Sequence, residues 1–530
     1  MSRFESKRES FGFAAVSKRL EFTTLTYDIS GALILGSVPI TNEVSMRAFP
    51  RFFGTPSTQG CSLGVVRTPW LRTPWVIILP VALLALQSFG IGCSRKNPVE
   101  SVSIGDSGIE IRDSEWSLAP GDWSAWRGRA NDGVATEGDV PTTWDDASNV
   151  RWRSKIPGRG HSSPIVVGES VFLATANDEQ QIQSVLCYER ENGSQRWQTV
   201  LHEGGFPATG SVHSKATNAN GTIASDGKCL YIAMLNNGGI TLTALDLNGK
   251  ILWQREVGKF VSKFGYAPSP ILYKSLVIVA ADNRGGGYLA AVDSETGSIV
   301  WRVGRDSGDS YSSPIVVRVG GRDQLLISGN DAVASYDPAT GELLWQTACI
   351  AEATCGTIVS DGERIFASGG YPESETICLS ADGQRLWSNN LKTYEPSLLV
   401  VDDRLLTVND KGVAICWDGA SGEELWKKRL GGNFSASPVL VNGTVMVPNL
   451  NGDTFVFQAG KQYVPIAQNR LGDDCYASPA ISGSQLFLRI GVGKGSARAE
   501  QLVCLAVETN GDDGTDSATQ QEIAVPSVKQ

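Results

Sequence analysis

Three histidines, His161, His202 and His213, are the whole imidazole complement of this 530-residue chain. They follow no metal-ligand spacing, and so few of them leave little material for a nucleophile, base and orienting acid. Eight cysteines follow Cys93, which in an oxidising compartment would invite a disulfide framework. Yet Cys187, Cys378, Cys416 and Cys504 occupy a strand position held elsewhere by Ala244, Ala291 and Ser335, so they read as small buried residues. Cys349 and Cys355 are six apart and are left open between free thiols and a bridge. Oxygen-rich pairs also recur: Asn177-Asp178, Asn236-Asn237, Asp282-Asn283, Asn330-Asp331, Asn409-Asp410, and Asn451 with Asp453. They could be gathered as calcium ligands. Each lies between two apolar runs, however, where Asn and Asp serve the turn itself. The run GVGKGS, 491–496, lacks the Gly-Lys-Ser/Thr entry into a helix that a phosphate loop needs, and reads as a hairpin loop.

What repeats along the chain is a turn and a ring. ASYDPATGELLW ends at Trp345, AAVDSETGSIVW at Trp301 and ICWDGASGEELW at Trp426, with related endings at Trp152, Trp197, Trp253, Trp387 and Tyr463. Successive spacings are 45, 56, 48, 44, 42, 39 and 37, near the period of about 40–45 residues that marks propeller blades. Within a unit four short alternating apolar runs are separated by Gly, Asn and Asp turns, which is the signal for strands. Eight units open at HSSP, NANG, APSP, YSSP, TCGT, EPSL, SASP and YASP. The last is one strand short, while NVRWRSKI around Trp152 precedes the first with no unit of its own. The expected fold is therefore all-β: an eight-bladed β-propeller of four-stranded antiparallel blades, its last blade closed by an N-terminal strand. Closure removes exposed sheet edges.

The motif Ala-x-Asp-x-x-x-Gly followed by Trp, with Ser-Pro opening the blades, resembles the PQQ-type repeat of eight-bladed propellers over nearly all of residues 150–508. DWSAWRGRANDG, 122–133, resembles the lead-in of exported proteins of that kind. Two branches carry the repeat: quinoprotein dehydrogenases and BamB-like non-enzymatic propellers. The first implies vicinal cysteines over the quinone and an acidic and amide set for calcium. No two cysteines are adjacent here, so neither PQQ nor calcium is expected. If the first strand is innermost, as in this family, the blade junctions bring His161, Tyr266, Tyr311, Tyr394, Phe434 and Tyr476 to one face near the axis. That set is read either as a ligand- or partner-binding funnel or as packing that plugs the channel mouth.

Residues 1–92 form an N-terminal extension and signal segment, with an apolar run over 75–92 preceded by Arg67 and Arg72. Cys93 after GIG is the candidate lipidation site, with an uncleaved anchor as its alternative, and Met46 is an alternative start. Residues 93–119 read as a polar tether, 120–508 as the propeller and 509–530 as an acidic disordered tail. The first 92 residues hold nine Lys/Arg and five Asp/Glu, leaving −14 for residues 93–530, which argues against a nucleic-acid partner. The signal segment points to an exported, lipid-anchored chain on the periplasmic side of a membrane or at the cell surface, and the BamB resemblance implies a monomeric scaffold with a protein partner at the outer membrane. An outer-membrane assembly complex is the partner that the BamB resemblance implies. A quinone-dependent oxidoreductase and a carbohydrate- or peptide-binding module are the alternatives.

Overall fold

The structure, a computed structural model, describes residues 99–507 except Ala351. The signal segment, Cys93, Met46 and the acidic tail lie outside the described residues. Seven stretches, 165–203, 224–259, 271–305, 315–348, 359–389, 399–429 and 439–470, each fold into four antiparallel strands in chain order and are blades 1 to 7. Blade 8 takes Ala480–Ser482, Gln485–Val492 and Ala499–Ala506 from the far end of the chain. Its fourth strand is Val150–Ile156, antiparallel to Ala499–Ala506 with Trp152 opposite Cys504. The eight-bladed ring and its N-terminal closing strand are both present.

Strand composition follows position in the blade. Second and third strands are covered on both faces by neighbouring blades, so Leu276–Ala280 is a continuous apolar run and buried throughout. Fourth strands alternate, as in Gln195–Glu203, because one face meets water.

The repeated turn and tryptophan form a clasp between blades. Each indole lies against the turn of the next blade and donates its Nε1–H to a carbonyl there. The pairs are Trp152 to Arg190, Trp197 to Leu247, Trp253 to Ser294, Trp301 to Pro338, Trp345 to Ala381, Trp387 to Gly419 and Trp426 to Gly460, at 2.9–3.3 Å. Most of the turn glycines leave no room for a side chain. Gly341 has φ 74°, and a Cβ there would stand 2.7 Å from Cε3 of Trp301.

A second device sits at the inner end of the blades. One hydroxyl residue precedes each first strand: Ser163, Thr222, Ser269, Ser313, Thr357, Ser397, Ser437 and Ser478. The backbone N–H of each donates to the hydroxyl of the next blade, at 2.8–3.1 Å, across seven of the eight seams, including Ser478 to Ser163. The Ser of each Ser-Pro pair is therefore a buried acceptor that joins neighbouring inner strands. The break falls between Ser313 and Thr357, whose hydroxyl instead accepts from Trp126 Nε1 at 2.9 Å.

That tryptophan belongs to a strap crossing the axis. Trp123 bridges Val166 of blade 1 and the Ser124 carbonyl accepts from Ser225 of blade 2. The Arg127 guanidinium donates to the Leu398 carbonyl of blade 6. Val134–Ala135 then adds a short parallel strand to blade 7. The stretch read as a polar tether differs from expectation over its described residues 99–119. Val102 bridges Arg302, Arg112 pairs with Asp293 at 2.9 Å, and Ser117 N–H donates to the Asp226 carbonyl. Its average polarity concealed Ile104, Ile109 and Ile111, which pack on the core shared by blades 3 to 5.

Candidate functional site

The segments that lead into the first strands converge on one end of the ring around a cavity of about 550 Å³. Its wall has a simple rule. Counting back two residues from each belt hydroxyl gives His161, Asn220, Ala267, Tyr311, Cys355, Glu395, Ser435 and Tyr476, and all eight line the cavity. In an extended chain neighbouring side chains face opposite ways, so the residue one place earlier turns into the blade. That is where Tyr266 and Phe434 went. Tyr266 is buried with its hydroxyl on the Ala280 carbonyl at 3.0 Å, and Phe434 is fully buried 5.8 Å from Phe455. Both are corrected from funnel to core. Tyr394 stands at the inward position yet still reaches the wall.

Four of the six expected rings therefore meet there: His161, Tyr311, Tyr394 and Tyr476. Sequence reading missed the other wall positions and Trp126, whose hydrogen bond to Thr357 brings it to the cavity at the level of the belt. Counting back from the opening Ser or Thr would have found the first group. Nothing local marks Trp126, which is placed by the strap.

The rings are ordered. His161 stacks on Tyr476 with centroids 4.3 Å apart and planes 2° from parallel, and Phe264 lies 6.4 Å from Tyr311. Charges around the wall are matched. Lys215 pairs with Glu395 at 2.6 Å, and Lys263 and Arg284 share Asp309 at 3.3 and 2.5 Å. Ser435 donates to the other oxygen of Glu395. Burial pushes the Tyr311 and Tyr394 hydroxyls up, and it pushes the Cys355 thiol up to about 12, with Glu395 adding to the effect. The eight described cysteines are free thiols, Cys349 and Cys355 among them. Among the described residues no three His, Cys, Asp or Glu side chains gather as a metal site.

His161 is held neutral. Burial first, then Arg159, Arg489 and Arg498, keep its pKa well below the ordinary 6.5. The unfolded chain therefore takes up the proton more readily. The stability this histidine permits is full above about pH 6.5 and falls below it, by up to about 1.4 kcal/mol per pH unit. His161→Gln is expected to reduce the difference between urea melts at pH 7.5 and pH 5.5. An unchanged difference would show that His161 titrates freely in the folded ring.

Comparison with known proteins places this geometry. The family model described as outer membrane protein assembly factor BamB matches residues 131–259, 181–379 and 373–462. BamB of Burkholderia pseudomallei (strain K96243) is 24% identical over 356 residues, covering 62% of this chain and 82% of that protein. BamB of Yersinia pestis is 26% identical over 348 residues, covering 60% and 81%. Among solved structures, the quinohemoprotein alcohol dehydrogenase of Comamonas testosteroni shares the fold at a TM-score of 0.52 and 11% identity, covering 77% of this chain and 83% of that one. With the blades and the closing strand falling into one repeat pattern, and with family matches running from residue 131 to residue 462, the chain belongs to the PQQ-type repeat propeller family of the outer membrane protein assembly factor BamB.

Proposed function

We propose that this propeller is an exported scaffold that holds protein partners during outer-membrane protein assembly, anchored through a lipid on Cys93 and working as a single ring. The observation that carries the reading is the family match over most of the ring, together with relatives that are named as assembly factors. Surface chemistry supports it. Val261, Phe264 and Tyr371 are exposed apolar side chains, and the last two also border the funnel, a composition suited to protein contact. The reading includes neither PQQ nor calcium. In support, Asp309 and Glu395 at the funnel are already engaged by Lys263, Arg284 and Lys215, and Cys355 is a free thiol.

Affinity capture of the tagged full-length chain from detergent-solubilised membranes tests the proposal. A β-barrel assembly component is expected to co-purify in stoichiometric amount. Recovery of the intact chain alone, in cells that carry it at its native level, would overturn the scaffold reading.

A further inference from the structure

Beyond the scaffold reading, and independently of it, we propose that the funnel binds a small, flat, uncharged aromatic molecule of two or three rings that carries a hydroxyl or carbonyl group. Four observations lead there. The cavity, about 550 Å³, is of the size that encloses small organic ligands. Its wall offers ring surfaces from several blades, with the His161–Tyr476 stack, Tyr311, Tyr394 and Trp126 all bordering one space. Flat aromatic ligands gain from offset or edge contacts with such rings beyond the area they bury.

Charge gives the second constraint. Lys215 is matched by Glu395, and Lys263 and Arg284 share Asp309. With Glu352 also on the wall, three cations face three carboxylates. A charged ligand would upset this balance, and an anion would have to draw a cation away from Glu395 or Asp309, so an uncharged one is preferred.

Two wall atoms ask for a polar partner. His161 Nε2 and the Tyr311 hydroxyl are both covered and both lack a hydrogen bond. A covered polar group without a partner is costly, and a small side-chain rotation toward a ligand oxygen would remove that cost.

The test uses the full chain and isothermal titration calorimetry with three probes: 2-naphthol, naphthalene and 2-naphthalenesulfonate. We expect saturable one-to-one binding of 2-naphthol, weaker binding of naphthalene, and at least about ten-fold weaker binding of the sulfonate, a loss equal to about 1.4 kcal/mol. Tyr394→Leu is expected to weaken 2-naphthol about ten-fold. Leu386→Ala, on the outer strand Arg385–Asn389 and exposed, is expected to leave it unchanged. Tyr311→Phe removes only the hydroxyl and is expected to lower 2-naphthol affinity several-fold while leaving naphthalene alone, which keeps the test decisive should Tyr394→Leu fail to fold. The proposal is overturned by an absence of saturable binding at millimolar probe, by equal binding of the sulfonate, or by indifference of 2-naphthol to Tyr311→Phe.

Discussion

A chain that begins at His161 is expected to aggregate or to melt far below one that begins at Gly121, although both retain the four chain-order strands of each of blades 1 to 7. The shorter chain lacks Val150–Ile156, so Ala499–Ala506 becomes an unpaired edge. It also loses the clasp across the seam between blades 8 and 1, where Trp152 donates to the Arg190 carbonyl and lies against Gly193. The Tyr188 hydroxyl loses its partner, the Lys155 carbonyl at 2.8 Å. Burial of Trp152 and Ile156 plus the ladder amounts to about 5 kcal/mol or more, comparable to the whole stability of many domains. The strap over 121–135 is lost as well, so a third chain beginning at Val140 separates the two effects. It keeps the closing strand and the buried Trp144, and should melt between the others. Thermal melts with size-exclusion chromatography read the order, and equal stability of the first two chains would contradict ring closure.

Trp301→Ala is expected to cost about 3–5 kcal/mol in urea melts, the range for deleting a large buried ring. Trp301 is fully buried between the outer strand of blade 3 and the turn of blade 4, and its Nε1 reaches the Pro338 carbonyl at 3.3 Å. Gly341→Ala attacks the same clasp from the other side, adding a Cβ into the indole at a left-handed backbone position. Trp345 makes the equivalent contact but is only half-buried, so Trp345→Ala should cost less. A loss below about 1 kcal/mol at Trp301 would show that the clasp is ornamental rather than structural.

Most of the ring was legible because its devices are periodic. The Asp-x-x-x-Gly turn and the Trp recur because each clasps its neighbour, and NVRWRSKI stood out as a surplus strand that only blade 8 could accept. The Ser-Pro openings were visible, but their role was not, since the hydroxyl acts on a blade some 40 residues away. The funnel was half legible for the same reason. An aromatic residue just ahead of a strand start was easy to see, whereas the one-place difference that sends Tyr311 to the wall and Tyr266 to the core depends on register from the belt. Trp126 on the strap and the packed stretch 99–119 act through tertiary placement alone, and no local pattern announces them.

The central functional claim is that the funnel face meets a protein of the outer-membrane assembly machinery. Tyr371, 66% exposed and bordering the funnel, is the position from which to test it. With Tyr371 replaced by photoreactive p-benzoyl-phenylalanine in the membrane-anchored chain, irradiation of intact cells is expected to give one dominant cross-link to a β-barrel assembly component. The same substitution at Leu386, on the outer edge of blade 5, serves as the control and should give none. A cross-link to that component from Leu386 and not from Tyr371, or none from either position, would contradict the account.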